Sequence, residues 1–298
     1  MNDAPAGTFR AAEADAHIPD KARVRRLADR AARDYEDAAW LPRQVADGLM
    51  EHLAPVRIAP TRILDAGAGT GICSRLLARR FPGARIFALD SSTPMLRSAR
   101  GRTRRWFSKH AYACGDAESL PLADRSVELV VSSLMLPSCG SPDAVLDEFH
   151  RVLAPEGLLM FTSLGPDTLR ELRQSWISVD GGVHVHAFID MHDLGDALLR
   201  AGFQDVVMDT ERLTGRYPDV AALTGELKRL GSSSAARGSR KGLMAPHLVA
   251  AMAGAYEQQR SEHALPASFE VVFGHGWRAP VRSVAVSTDD MFRTGGGP

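Results

Sequence analysis

The sequence predicts an α/β fold: a mostly parallel sheet with helices on both faces. Three observations carry this. Between Arg62 and Ser163, short apolar segments alternate with helical ones. The apolar segments are runs such as Ile63-Leu64 and Leu129-Val130-Val131 rather than alternating patterns, as strands buried on both faces require. A glycine-rich turn, Gly67-Ala68-Gly69-Thr70-Gly71, joins the first of them to a helix.

Taken in order, residues 1–20 are rich in Ala with scattered acids and no apolar core. They read as a disordered lead-in, not a signal peptide. Lys21 to Leu53 spaces Leu27, Ala31, Val45, Leu49 and Leu53 as helices do, and Pro42 is expected to divide this stretch in two. Strands are expected at Arg62–Ala66, Arg85–Leu89, Ala111–Cys114, Val127–Ser132 and Leu158–Ser163. Helices are expected at Ile72–Phe81, Pro94–Arg104 and Asp143–Leu153, with Pro155-Glu156-Gly157 as a turn. Further on come a helix at Asp193–Ala201 stopped by Gly202, a strand at Val206–Leu213 and a late strand at Phe269–Phe273. Residues 221–266 form a mainly helical insertion with a Gly/Ser-rich break at Gly231–Ser239, a candidate lid. The folded domain is thus expected over 21–285, with N-terminal helices at 21–57 and a disordered tail at 286–298.

The bulk numbers narrow the class. The chain has 298 residues, 45% hydrophobic and 24% charged, enough for a sizeable core. Its formal net charge of +0 argues against a general nucleic-acid binder. No apolar run reaches the roughly 18 residues of a membrane span. The three cysteines, Cys73, Cys114 and Cys139, lack metal-ligand spacing and form no disulfide framework, so a cytoplasmic setting is expected. His184, His186 and His192 lack the spacing of a helix-face pair, and no metal is expected.

The glycine loop carries the chemistry. Gly67 and Gly69 match the first two positions of the dinucleotide fingerprint GxGxxG, but Ile72 occupies the third. The pattern from Asp65 through Gly67, Gly69 and Gly71 instead favours S-adenosylmethionine, whose sulfonium brings no pyrophosphate against the helix. Glycines there permit positive φ and close approach of a ligand to the backbone. Asp90 ends the second strand, where a carboxylate accepts both ribose hydroxyls. Asp116, followed by Ala117, is placed to accept from the adenine amino group. Ala68, Ser91, Met95 and Ser132 complete the expected cofactor set.

Longer stretches carry a resemblance. Ile63–Gly71, the Asp90 strand end, the run from Gly115 to Leu122, and Arg151-Val152-Leu153 with Pro155-Glu156-Gly157 resemble class I S-adenosylmethionine-dependent methyltransferases. The segments Leu164–Arg173, Phe188–Asp193 and Phe269–His275 are more specific. Together they resemble the malonyl-acyl-carrier-protein O-methyltransferases of biotin synthesis, from about Arg30 to Pro280. This implies a Rossmann-like sheet of seven strands and methyl transfer to the free carboxylate of a malonyl thioester on acyl carrier protein, by a monomer. Two departures stand out. Ser132–Ser138 replaces the family's usual Asn and Gln-Trp or His-Trp, and Ala68 replaces its usual Cys. A related branch hydroxylates arginine as a complex I assembly factor. Transfer to another small acid or a quinone, or a non-methylating role, therefore stays open.

The reaction so implied needs no general base, since a carboxylate is already ionised near neutrality. It needs positioning and a partner for the carboxylate. From the residues alone, Arg173 reads first as a helix-surface arginine paired with Glu171 or Asp167; the resemblance instead gives it that task. Tyr35 matches a family tyrosine that could cap the cofactor cation or reach the substrate; from the residues alone it reads equally as a half-buried helix tyrosine. Because acyl carrier protein is acidic, a basic landing site is expected at Arg97, Arg100, Arg102, Arg104, Arg105 and Lys109, or at Lys228, Arg229, Arg237, Arg240 and Lys241.

Overall fold

The computed structural model describes residues 19–103, 109–180, 184–185, 187–232 and 245–280. Arg104, Arg105, His186, Arg237, Arg240, Lys241, most of the Gly/Ser-rich break and nearly all of both expected tails lie outside them.

Seven strands form one sheet: β1 (Arg62–Ala66), β2 (Arg85–Asp90), β3 (His110–Cys114), β4 (Val127–Ser133), β5 (Leu153–Leu164), β6 (Phe203–Tyr217) and β7 (Leu265–Arg278). Their order is β3-β2-β1-β4-β5-β7-β6, and β7 runs antiparallel to both its neighbours. The order reverses between β1 and β4. Open α/β sheets bind ligands at the carboxyl ends of the strands beside such a switch point.

Successive strand residues face opposite sides. Ile63, Leu129, Val131, Leu158 and Met160 join one apolar cluster, and Leu64, Val130, Leu159 and Phe161 the other. The first cluster is covered by α3 (Trp40–Leu53), α4 (Ile72–Arg80), α7 (Arg170–Ile177), α9 (Val220–Arg229) and α10 (Pro246–Glu257). The second is covered by α6 (Pro142–Val152) and α8 (Met191–Arg200). Helices α1 (Lys21–Ala31), α2 (Tyr35–Ala38) and α5 (Thr93–Arg102) meet in a small cluster around Ala31, Ala32 and Met95. Among the described residues, no helix is long and apolar enough to cross a membrane.

Three expectations are corrected. Pro42 does not break the N-terminal stretch. It sits in the first turn of α3, where a missing N–H costs nothing, and the breaks fall at Ala32–Asp34 and Ala39. Pro155-Glu156-Gly157 is no turn between elements. The register jumps from Val127↔Leu153 to Leu129↔Leu158, so these residues bulge out of β5, with Glu156 at φ 60°. Strands β6 and β7 run well beyond the expected segments, because they pair with each other from Phe203↔Arg278 to Tyr217↔Leu265.

Candidate cofactor and acceptor site

A cavity of about 660 Å³ opens at the carboxyl ends of β1, β2, β3 and β4. Its floor is the glycine loop. Gly67 has φ +74°, and a Cβ there would meet the Met135 side chain at 2.5 Å. Gly69 has φ +52°, and a Cβ there would project into open space. The loop is therefore a cradle that side chains would fill.

Asp90 ends β2 beside it. One carboxylate oxygen accepts from the Gly69 N–H and the other from the Ser92 N–H, both at 2.8 Å. Each keeps a further lone pair for a ligand hydroxyl. Burial pushes the Asp90 carboxyl above its ordinary range, and the two N–H groups pull it back. At the far end, Asp116 accepts from Lys21 at 2.7 Å and from the Glu118 N–H at 3.0 Å. Burial would raise Asp116, but Lys21 outweighs it and holds this carboxyl below the usual value. An adenosyl ligand fits this set: a glycine floor, a carboxylate for the ribose and a carboxylate at the adenine end.

The expected residues divide. Gly67, Gly69, Asp90, Ser91, Met95, Asp116, Ala117 and Tyr35 line the cavity. Asp65, Ala68, Gly71 and Ser132 do not. Asp65 is buried beneath the loop, 2.5 Å from the Ser74 hydroxyl, and burial pushes its carboxyl up to about 6. Ala68 is buried, Gly71 packs against Ala99, and Ser132 lies wholly inside the sheet, so Ser133 takes the wall position. Arg173 stands outside the lining. Its guanidinium donates to the carbonyls of Pro166 at 2.7 Å and Thr168 at 3.1 Å, while Asp167 is taken by Arg212. The Arg173 side chain therefore props the 165–169 loop from behind. His184 stacks on Trp176 and bonds Asp180, whereas the His192 N–H meets Asp190, the N-cap of α8. Arg97, Arg100, Arg102, Lys109, Lys228 and Arg229 are exposed.

The other half of the cavity is apolar, walled by Leu41, Leu164, Leu169, Phe188, Leu227 and Phe269. Sequence reasoning missed most of these. Leu169 carries a local oddity, φ +53°, held by its N–H bond to Ser268 O at 2.6 Å. Nothing in a single sequence marks it. The departing segment contributes Ser133, Leu134 and Met135 to the wall, with Leu134 at φ 56°. Tyr35 also lines the cavity, its phenol pushed up by burial and by the Asp90 charge. Lys21 and Arg25 are the cations of the described lining, both on α1.

Comparison with known proteins agrees with this geometry. The profile of the methyltransferase domain family matches residues 64–161. Two relatives carry the name malonyl-acyl-carrier-protein O-methyltransferase. The one from Laribacter hongkongensis is 48% identical over 90% of this chain and 93% of its own; the one from Methylovorus sp. is 44% identical over the same shares. Among solved structures, the YcgJ protein of Bacillus subtilis superposes with a TM-score of 0.56 over 78% of this chain and 98% of its own, at 17% identity, a likeness of fold. Sheet order, glycine cradle and carboxylate-ended strands define a class I S-adenosylmethionine-dependent methyltransferase. Within that class, the chain belongs to the malonyl-acyl-carrier-protein O-methyltransferase family.

Proposed function

We propose that this chain methylates the free carboxylate of a malonyl thioester carried on acyl carrier protein. The observation that carries the reading is one cavity lined both by the carboxylates Asp90 and Asp116 and by the apolar Leu169, Leu227 and Phe269, with Tyr35 also in its wall. Bound S-adenosylmethionine supplies an electrophilic methyl group on a sulfonium whose leaving thioether is neutral. The chain's own residues position and desolvate. Asp90 and Asp116 take the adenosyl end. Leu169, Leu227 and Phe269 exclude water from the acceptor half, where a carboxylate reacts faster once stripped of solvent. The Tyr35 hydroxyl, kept protonated by its raised pKa, is a neutral donor for the acceptor carboxylate. Arg173 holds the loop that carries Thr168 and Leu169.

The test is label transfer. Purified protein with methyl-labelled S-adenosylmethionine should label malonyl-acyl carrier protein. Asp90→Ala should lose that transfer together with binding of S-adenosylhomocysteine. Labelling of acyl carrier protein that carries no malonyl group would count against the reading.

A further inference from the structure

Helix α1 crosses the adenosine end of the cavity, and both of its ends are clasped to the site. At its start, the Lys21 ammonium lies 2.7 Å from Asp116 Oδ2 and 2.6 Å from Glu118 Oε2. Glu118 is itself tied down: its other oxygen accepts from the Gly140 N–H at 2.7 Å and the Ser141 N–H at 3.1 Å. Eight residues further along, roughly 12 Å at the helical rise, Asp29 accepts from the Ser92 hydroxyl at 2.6 Å. Ser92 is the residue whose N–H orients Asp90. Between the clasps, Ala22, Val24, Arg25 and Ala28 line the cavity.

The two carboxylates of the adenosine end are thus each set by a group that also holds α1. The two Asp116 oxygens are aimed separately, one at Lys21 and one at the Glu118 N–H. We infer that Lys21 is a positioning residue for the cofactor: through Asp116 and Glu118 it fixes the carboxylate at the adenine end and keeps α1 closed over the bound ligand. This rests on reading the cavity as the S-adenosyl site. Exposed ion pairs contribute little on their own. Here one ammonium is shared by two acceptors, and the Glu118 side chain is only 17% exposed, which concentrates the effect. Nothing in the pair touches the acceptor half, so its loss should appear in cofactor exchange.

The experiment measures S-adenosylhomocysteine affinity by calorimetry and its release by stopped-flow displacement, in the full chain, without acceptor. Lys21→Met should speed release and raise Kd by about two- to fivefold, with ligand-free melting close to wild type. Glu118→Gln should move release in the same direction, and Lys21→Arg should restore it toward wild type. Release from Lys21→Met at the wild-type rate overturns the inference. So does an equal acceleration of release in Lys21→Met and Lys21→Arg. A wild-type chain that binds no S-adenosylhomocysteine overturns the cofactor reading itself, an outcome distinct from the other two.

Discussion

Trp40 donates its indole N–H to Glu226 at 2.6 Å, and the same carboxylate oxygen accepts the Tyr217 hydroxyl at 2.5 Å. The bond joins α3 to α9, the first helix of the insertion. Trp40 also meets Phe269 edge-on at 5.7 Å, and Leu227, next to Glu226, lines the apolar half of the cavity. One carboxylate therefore sets the acceptor wall. Glu226→Ala should strand the Tyr217 hydroxyl and leave the half-buried Trp40 indole N–H only its 3.3 Å contact with Tyr217, costing on the order of 1–3 kcal/mol of stability, read by urea unfolding. It should raise the acceptor KM while leaving S-adenosylhomocysteine affinity unchanged. Glu226→Gln, which keeps an acceptor oxygen, should recover most of both.

Arg173 should behave as a loop support. Arg173→Ala frees the carbonyls of Pro166 and Thr168 and should lower stability by about 1–2 kcal/mol. Turnover should fall because Thr168 and Leu169 leave their places on the wall. The acceptor KM should change less than kcat, whereas loss of a direct carboxylate contact would raise KM foremost. Steady-state kinetics with malonyl-acyl carrier protein separates the two.

Asp65 gives a pH signature. Burial, opposed by the Ser74 hydroxyl and augmented by the Asp90 charge, pushes its carboxyl up to about 6, against about 3.9 for an unburied Asp. Between those values the folded chain keeps a proton that the unfolded chain has released. This group's contribution to stability therefore falls as pH rises from about 4 to about 6 and is level above. Asp65→Asn carries no charge and still offers Ser74 an acceptor. Its stability relative to wild type should rise across that window, by an amount on the order of 3 kcal/mol at most. Urea unfolding of both proteins at about pH 4, 5 and 7 checks it.

The parallel half of the sheet was legible because buried strands leave apolar runs, and the cofactor loop because positive φ at Gly67 and Gly69 asks for glycine. What escaped was set by partners distant in sequence. The lengths of β6 and β7 come from their pairing with each other. Pro42 looked like a breaker because a sequence does not say which residue begins a helix. Asp65 and Ser132 sit in cofactor motifs, yet the pleat turns them inward, a one-residue matter that put Ser133 on the wall instead. Arg173 and Glu226 were hardest. The indole that Glu226 meets is brought near only by the fold, and Arg173 turns back onto carbonyls a few residues upstream, a backbone contact that no side-chain pattern marks.

The acceptor is what distinguishes this enzyme from other methyltransferases of its fold. The most direct measurement compares kcat/KM for methyl transfer to malonyl-acyl carrier protein, acetyl-acyl carrier protein and free malonate, with the product mass read on the intact carrier. One methyl group should be added to malonyl-acyl carrier protein and none to the acetyl form, with a much lower rate on free malonate. Equal transfer to the acetyl carrier, or cofactor binding with no transfer to the malonyl carrier, would contradict it.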